Sequence, residues 1–324
     1  MSDISSLADS AFSASLSDFQ AAAGRIKSDA ITTPALPLAT PDRKIFLKAE
    51  CLQPLGSFKI RAAANALSQA PAAELASGVI TASAGNFGQG IALAASARGL
   101  SVDVYVPESS AKVKVEALRE MGAIVHMVSF ADWWQIIMTR QTGSNGFFVH
   151  PVAELAVVIG NGTIGLEIAT QVPDVDTVVV PIGGGGMISG IALALRALGK
   201  KVRIIGAEIE SSVPLLTAKK AGQPVKVDRG PTWIDGIGST GILPEMWPLL
   251  DQLVDDVIVV SHAEAANALR LMARRSRIIA EGAGAVSLAA ALHPSLAGQT
   301  VVPVISGGNI DVGTYTRILG GADN

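Results

Sequence analysis

Lys59 is a cation placed where a helix repels positive charge. It lies in the stretch PLGSFKIRAAANAL, where a Pro-Leu-Gly turn is followed by Ser57, a suitable capping residue, and by an alanine-rich helical run. The first turn of a helix carries partial positive charge, and its free N–H groups repel an ammonium group. Phe58 and Ile60 flank the lysine, so we expect partial burial, which also disfavours the charged form. A lysine whose neutral form is favoured is a nucleophile able to form a Schiff base.

Four consecutive glycines, Gly183–Gly186, are a second chemical signal. They stand between the apolar run DTVVVPI and the helical pattern MISGIALALRALG. Successive N–H groups without side chains at a helix start form a nest suited to phosphate. The loop is not a P-loop, because no Lys-Ser/Thr pair follows, and it is an imperfect dinucleotide fingerprint, because Ser189 occupies the third glycine position. A phosphate cradle with a Schiff-base lysine indicates pyridoxal phosphate, and NAD, with Glu208 contacting its ribose, is the alternative.

Two more glycine-bearing loops follow apolar runs. Ser83–Gly90 offers the Ser83 hydroxyl, the N–H groups around Gly85 and the Asn86 amide, and such neutral donors suit a carboxylate. Ser306–Asn309 offers a hydroxyl that could bond a ring nitrogen. Because ligands of open parallel sheets bind beyond the carboxyl ends of the strands, we expect these loops, the tetraglycine loop and Lys59 to form one site.

Short apolar runs alternate with helical periods along the chain. The predicted strands are KIFLKAE, SGVITAS, SVDVYVP, AIVHMVS, DTVVVPI, KVRIIGAE and TVVPVI, and the predicted helices between them are IALAASARG, AKVKVEALREMG and MISGIALALRALG. An amphipathic helix is expected near Leu16 to Ile26. This alternation is typical of βαβ units, so we predict an α/β fold with open, mainly parallel sheets flanked by helices. We expect residues 1–75 and 152–324 to form a large cofactor-binding domain and residues 76–151 a small substrate-gripping domain.

The composition excludes several classes of protein. The 324 residues carry a net charge of −3, so neither a nucleic-acid partner nor a basic membrane surface is indicated. No apolar run approaches the roughly 18 uninterrupted residues of a membrane span. Cys51 is the only cysteine, and the first residues lack the pattern of a signal peptide, so we expect a cytoplasmic protein. The histidines lack metal-ligand spacing and are expected to be structural: His126, His150, His262 and His293.

Five motifs resemble those of the fold-type II pyridoxal-phosphate enzymes. They are SFKIRAA, SAGNFGQG, NGTIGLEI, PIGGGGMISG and SGGN, and the resemblance extends from about Thr33 to Asp311. Within that group the chain is most similar to the threonine/serine dehydratase and serine racemase family. The resemblance implies a two-domain architecture like that of the tryptophan synthase β chain, pyridoxal 5'-phosphate as cofactor, a small amino acid substrate and a homodimer.

The resemblance also implies roles for individual residues. Lys59 would be the catalytic lysine that holds the cofactor. The implied cofactor-binding residues are Phe58, Lys59, Asn86, Gly183, Gly184, Gly185, Gly186, Met187, Gly236, Glu281 and Ser306. The implied substrate-binding residues are Ser83, Ala84, Gly85, Asn86 and Phe87. Phe58 would pack against the cofactor ring, Asn86 would bond the ring hydroxyl, and Ser306 would face the pyridine nitrogen.

The implied reaction is a β-elimination in which Lys59 removes the α-proton of an L-threonine or L-serine type substrate to give a 2-oxo acid and ammonia. Ala84 stands where serine racemases carry a second serine that works as an acid and base, which favours elimination over racemisation. No metal is expected: Glu208 matches one ligand of a stimulating divalent ion, but Pro214 stands at the second ligand position.

The substrate is less clearly indicated than the reaction. Phe87 stands where the family usually has histidine, and with Trp133 and Trp134 it could line an apolar pocket for a bulky β-substituent, or these residues could be core. Other reactions stay open: a lyase or β-replacement enzyme on another β-substituted amino acid (phenylserine, 3-hydroxyaspartate), an amino acid racemase or, more distantly, an NAD-dependent oxidoreductase.

Overall fold

The computed structural model describes residues 4–110 and 112–323. Its strands are β1 (Ala35–Ala39), β2 (Lys44–Lys48), β3 (Val79–Ala82), β4 (Val102–Pro107), β5 (Ile124–Val128), β6 (Phe147–Phe148), β7 (Thr177–Pro181), β8 (Arg203–Ile209), β9 (Asp256–Val260) and β10 (Thr300–Pro303). Its α-helices are α1 (Ile4–Phe12), α2 (Leu16–Arg25), α3 (Lys59–Gln69), α4 (Ala72–Leu75), α5 (Asn86–Ser96), α6 (Lys112–Glu120), α7 (Phe130–Thr139), α8 (Leu155–Gln171), α9 (Gly186–Ala197), α10 (Pro214–Ala221), α11 (Trp247–Leu253), α12 (His262–Leu271), α13 (Gly282–Ala291) and α14 (Val312–Leu319). Short 3₁₀ turns occupy Glu50–Leu52, Pro54–Gly56 and Pro294–Leu296, and one π-helical turn occupies Met272–Ser276.

The strands form two sheets. The large sheet has the order β1-β2-β10-β7-β8-β9, and the small sheet has the order β5-β4-β3-β6. All neighbouring strands are parallel except β1, which pairs antiparallel with β2 at one edge of the large sheet. Pro37 lies in β1, and an edge strand tolerates proline because its outer N–H positions need no partner. The predicted α/β class with mainly parallel sheets is therefore confirmed.

Helices cover both faces of the large sheet. The buried valines of β7 alternate, Val178 and Val180 packing with α8 and α9 on one face, and Val179 packing with α12 and α13 on the other. Continuous apolar runs such as TVVVP are what a strand covered on both faces requires. The site-bearing loops at the strand ends are thus held by a core that is closed on both sides.

The strands of the small sheet all come from residues 79–148, and those of the large sheet from residues 35–48 and 177–303. This distribution is compatible with the expected division into 1–75 with 152–324 and 76–151, which stays a prediction; residues 1–3, 111 and 324 of those ranges lie outside the described part of the chain.

The predicted elements are found, with one boundary error. Each run predicted as a strand contains a strand, and the expected N-terminal helix is α2. The segment AGNFGQG, however, is not wholly a loop, because α5 already begins at Asn86 with Gly85 as its N-cap residue. The segment contains three glycines, and because glycine disfavours helix interiors, its helix propensity did not predict this first turn of α5. In the described residues, none of the helices has the length and hydropathy that a bilayer crossing needs.

Candidate active site

A cavity of about 300 Å³ lies where the loops after β3, β7 and β10 meet. Its lining includes Lys59 and residues from each of the three glycine-bearing loops. Most of the expected site residues line it: Phe58, Lys59, Ser83, Gly85, Asn86, Phe87, Gly183, Gly184, Gly185, Gly186, Met187, Gly236, Glu281 and Ser306. Ala84 is not among the lining residues and packs instead against the apolar cluster around α3 and α5. The loops converge as expected: those after β7 and β10 lie at one end of the large sheet, and the packing of the small sheet brings the loop after β3 to them.

Lys59 is the first residue of α3 and its ammonium group lies between two aromatic rings. The Nζ atom is 4.8 Å from the ring centre of Phe58 and 5.8 Å from that of Phe87. Burial lowers the pKa of Lys59 to about 8 from 10.5, and the negative charge of Glu281 acts in the opposite direction. At neutral pH a useful fraction of this amine is consequently unprotonated and nucleophilic.

The turn before Lys59 is fixed in an unusual backbone conformation. Leu55 and Gly56 both lie in the left-handed region, with φ values of 61° and 65°. The Phe58 N–H donates to the Ser306 carbonyl at 3.1 Å, and Ser57 forms an antiparallel bridge with Gly307. Ser57 is not the N-cap residue of α3, a position that Phe58 takes, although its hydroxyl accepts a long bond of 3.4 Å from the Lys59 N–H. The lysine and the Ser306 loop are thus parts of one hydrogen-bonded unit.

Helix α3 is held between α5 and α8 by close backbone contacts. A Cβ atom on Gly90 would lie 3.3 Å from the Lys59 carbonyl, and one on Gly160 would lie 2.7 Å from the Arg61 carbonyl. Gly160 is therefore required for this separation of the helices, and a side chain at Gly90 would fit only after a small shift of α3.

A buried ionic network anchors the same helix. The guanidinium of Arg61 pairs with Glu50 at 2.8 Å and with Glu167 at 2.7 Å, and Glu167 also pairs with Lys48. The neighbouring Arg61 holds the pKa of Glu50 below its usual value in spite of burial. Because the partners come from β2, α8 and the turn at Glu50–Leu52, the network fixes the position of α3 relative to the large sheet.

The tetraglycine loop is a cradle that side chains would fill. A Cβ atom on Gly184 would lie 2.5 Å from Val152, and one on Gly185, where φ is +91°, would lie 2.8 Å from Leu250. In the described part of the chain the N–H groups of residues 183–188 have no hydrogen-bond partner, and the first bonded N–H is that of Ser189, to the Gly185 carbonyl. Free N–H groups at the start of α9 suit a phosphate.

Like the N–H groups of the tetraglycine loop, the Ser306 hydroxyl lacks a hydrogen-bond partner. Its hydroxyl is buried and has no hydrogen-bond partner among the described residues. Buried polar atoms are nearly always bonded, so this hydroxyl fits the ring nitrogen of a bound cofactor. With a phosphate cradle at Gly183–Gly186 and a nucleophilic Lys59, the residues present fit pyridoxal phosphate.

Asn86 is held in one orientation by two partners. Its Nδ2 group donates to both carboxylate oxygens of Glu281, at 3.2 and 3.1 Å, and its Oδ1 atom accepts from Asn309 at 2.9 Å. Asn309 also donates to the Leu55 carbonyl at 2.7 Å. Burial raises the pKa of Glu281 to about 7, against the effect of the Asn86 hydrogen bond. Asn309, to which the sequence assigned no role, therefore holds Asn86 in place.

The cavity is lined by further residues, among them Trp133, Trp134, His150 and Asn161, and the last two were not expected at the site from the sequence. The ring of Trp133 lies 6.3 Å from that of Trp134, in the stretch noted for its aromatic content. His150 accepts from the N–H groups of Val152 and Ala153 through Nδ1, and burial lowers its pKa to about 3, so it is neutral and structural. Asn161 belongs to the NGTIGLEI motif, which could have identified it.

Glu208 lies outside the cavity lining and has another task. Its carboxylate accepts from the N–H groups of Leu215 and Leu216 at 2.7 and 3.0 Å, so it caps α10. This engagement leaves no basis for the ribose contact on which the dinucleotide alternative depended. Across residues 4–110 and 112–323 there is no group of three or more histidine, cysteine, aspartate or glutamate side chains arranged to hold a metal ion.

Comparisons with known proteins agree with this geometry. Residues 26–307 match the family model described as pyridoxal-phosphate dependent enzyme. The chain is 41% identical over 280 residues to the L-threonine ammonia-lyase of Geobacter sulfurreducens, which covers 85% of this chain and 69% of that protein. It is 38% identical over 279 residues to the L-threonine ammonia-lyase of Thermotoga maritima, with coverage of 85% and 70%. Among solved structures, maize serine racemase superposes with a TM-score of 0.85 at 31% identity, covering 94% of this chain and 96% of that chain.

Proposed function

The chain belongs to the family of pyridoxal-phosphate-dependent enzymes, and from this premise we propose that it is a dehydratase that converts a β-hydroxy α-amino acid of the L-threonine or L-serine type to a 2-oxo acid and ammonia. The observation that carries the proposal is Lys59. Its amine, with a pKa lowered to about 8, opens into the same cavity as the tetraglycine cradle and the unpaired Ser306 hydroxyl. Relatives named L-threonine ammonia-lyase support this reaction.

The residues that would hold the cofactor follow from the contacts of the site. Lys59 would bind the aldehyde carbon covalently, the N–H groups of Gly183–Gly186 would bind the phosphate, and Ser306 would bond the ring nitrogen. Asn86, oriented by Asn309, would bond the ring hydroxyl. When bound, pyridoxal phosphate supplies an electron sink for negative charge at the substrate α-carbon.

Proton transfer at the α-carbon is assigned to Lys59. The amine set free when substrate binds would take the α-proton, and burial keeps its pKa close to working pH, where a general base is most effective. The β-hydroxyl leaves as water, and hydrolysis of the remaining enamine gives the 2-oxo acid and ammonia. Ser83 and the N–H groups at the start of α5 would hold the substrate carboxylate.

Elimination is favoured over racemisation because racemisation needs a second proton carrier at the opposite face of the α-carbon. Ala84 has no proton to transfer, and its side chain packs away from the cavity lining. The imidazole of His150 already accepts from two backbone N–H groups. Neither Ala84 nor His150 therefore supplies the second proton carrier, and we assign the α-proton to Lys59.

The finer expectations on location and assembly are also proposals. We propose a cytoplasmic homodimer with a large domain of residues 1–75 and 152–324 and a small domain of residues 76–151. They rest on the resemblance to the dehydratase and racemase family, and analytical ultracentrifugation tests the assembly.

The experiment combines a spectrum with product analysis. Purified protein loaded with pyridoxal phosphate should show a visible absorbance band that borohydride bleaches and that Lys59→Ala lacks. L-Threonine or L-serine should then yield 2-oxo acid and ammonia without any added thiol. A requirement for thiol would instead indicate β-replacement, interconversion of L- and D-serine at a comparable rate would indicate a racemase, and a colourless protein that binds NAD would refute the proposal.

A further inference from the structure

The cavity has a wall of aromatic and aliphatic side chains, in which the buried Nε1–H of Trp133 has no hydrogen-bond partner among the described residues. We define the aromatic wall as Phe87, Trp133, Trp134, Ile137 and Leu243, all of which line the cavity. Trp133, Ile137 and Leu243 pack in one apolar cluster, and the Trp133 and Trp134 rings are 6.3 Å apart. Phe87 is only 1% exposed, and its ring faces the Lys59 amine at 5.8 Å. Phe87 packs in a separate apolar cluster, and it is the member of the wall whose distance to the reacting amine is known.

Leu243 shows that the wall is built from both parts of the molecule. It belongs to the loop between α10 and α11, and it packs both with the core of the large sheet and with the cluster of α7. Arg140, at the end of α7, pairs with Glu245 in the same loop at 3.3 Å. The loop and α7 are thus held together across the cleft, and the wall does not depend on one mobile side chain.

The charged groups of the cavity do not favour a substrate with a charged β-substituent. Among the described lining residues, Lys59 is the sole lysine or arginine, and the lowered pKa of His150 keeps the imidazole neutral. A substrate with a second carboxylate, such as 3-hydroxyaspartate, would thus find no free cation for it. Glu281, the acidic lining residue, already accepts two hydrogen bonds from Asn86, so a second ammonium group is not provided for either.

We propose that the preferred substrate is a β-hydroxy amino acid with an aromatic β-substituent, of the 3-phenylserine class, whose ring packs on the aromatic wall. The inference rests on the dehydratase function proposed above. The bond between the β-carbon and its oxygen breaks, and the α-proton and the hydroxide leave as water. Hydrolysis consumes one water and releases ammonia, so phenylserine gives phenylpyruvate and ammonia, and no oxidant is needed.

The test compares 3-phenylserine with L-threonine on the holoenzyme. We expect a higher kcat/KM for phenylserine, because burying a phenyl ring on aromatic side chains is worth roughly tenfold or more in discrimination. Trp133→Ala should lower the ratio of the two kcat/KM values about tenfold. Trp134→Ala, at a side chain that is 40% exposed and therefore tolerant of change, should lower it in the same direction.

The matched control is Met138→Ala. Met138 lies on the same helix, is 45% exposed and does not line the cavity, so this change should leave the ratio of the two kcat/KM values as it is. Binding gives an independent readout: L-phenylalanine, which has no β-hydroxyl to lose, should bind the holoenzyme about tenfold more tightly than L-alanine in a tryptophan fluorescence titration.

The outcomes separate the two proposals. Turnover of threonine with a lower kcat/KM for phenylserine, or an unchanged ratio in both tryptophan variants, overturns the aromatic substrate and leaves the dehydratase function. If neither substrate yields a 2-oxo acid, the proposed dehydratase function is refuted. In that case the binding titration tests whether the aromatic wall holds an aromatic side chain. Equal affinities for L-phenylalanine and L-alanine contradict this role, and a preference for L-phenylalanine that Trp133→Ala abolishes supports it.

Discussion

At the scale of single residues, the cavity contains groups whose charged forms the protein destabilises. Burial lowers the pKa of Lys59 to about 8 and raises that of Glu281 to about 7. The two groups also act on each other, since the negative charge of Glu281 raises the pKa of Lys59. The sequence predicted the first effect from the helix start and the flanking apolar residues. It did not predict the second, because no local pattern shows that Glu281 faces Lys59.

The pH dependence of cofactor attachment tests this coupling. Only the neutral amine attacks the aldehyde, so the attachment rate should rise with pH up to about 8 and then level off. Below that pH the rate should fall, by less than tenfold per unit around pH 7, because Glu281 takes up a proton there and its lost charge lowers the pKa of Lys59. In Glu281→Gln the opposing charge is gone, so the midpoint should move below 8. Stopped-flow absorbance after mixing cofactor-free protein with pyridoxal phosphate measures the attachment rate of the unmodified protein and of Glu281→Gln at each pH.

The control is Glu74→Gln, which removes an exposed carboxylate on α4 and should leave the midpoint unchanged. If the pH midpoint of cofactor attachment in Glu281→Gln equals or exceeds that of the unmodified protein, Glu281 does not raise the pKa of Lys59.

At the scale of elements, the site depends on how closely backbones approach. The sequence placed the strands and the tetraglycine loop, because apolar runs and glycine clusters are local signals. It did not predict that α3 lies between α5 and α8, because this depends on which helix faces Gly90 and Gly160. It also missed the network of Arg61, since a charged residue in an alanine-rich helix reads equally well as exposed.

Gly184→Ala tests the tetraglycine cradle. The new methyl group would lie 2.5 Å from the Val152 side chain, which is β-branched and stiff, so we expect the loop to shift and its N–H groups to lose their alignment. We expect at least a tenfold loss of affinity for pyridoxal phosphate, in an absorbance titration. Gly24→Ala, in α2, adds a methyl group with nothing within 4 Å and should leave the affinity unchanged. Equal affinities in the two variants would argue against a phosphate site in this loop.

Arg61→Met tests the anchoring of α3. The change leaves the buried carboxylate of Glu50 without its guanidinium partner, while the partly buried Glu167 keeps Lys48, and we expect a cost of about 3–5 kcal/mol in the free energy of unfolding. The matched control is Arg203→Met, which breaks an exposed pair with Asp256 and should cost at most about 1 kcal/mol. Urea denaturation measures both values. Similar costs for the two variants would show that the buried network does not stabilise the fold.

At the scale of the whole molecule, the cavity belongs to neither sheet alone. Its lining residues come from loops of both sheets, and contacts such as Lys114–Asp235 at 2.8 Å join them. The sequence predicted that the loops would converge, but the reason, that loops after parallel strands lie at one end of a sheet, holds only for the two loops of the large sheet. It could not give the mutual orientation of the sheets, which depends on tertiary packing between distant segments. For the same reason it left Trp133 and Trp134 open between pocket and core.

Cys51 provides a measure of global stability. It is 7% exposed and burial raises the pKa of its thiol to about 12, so the reactive thiolate is scarce in the folded state. We expect a thiol reagent at pH 8 to label the folded protein far more slowly than the unfolded chain, with a rate that follows the denaturant unfolding curve. Cys51→Ser should give no signal, and rapid labelling of the native protein would show that this part of the core opens locally.

The pairing of β2 with β10 has a consequence for the order in which the protein is made. Lys44 and Ile45 stand beside Thr300 and Val301, so on a ribosome β2 emerges long before this neighbour exists. The small sheet, by contrast, takes all its strands from one short stretch of chain and can form early. A strand cannot pair before its partner has been synthesised. We therefore expect the nascent enzyme to form its small sheet first, and to complete the large sheet with the Ser306 loop only near the end of synthesis.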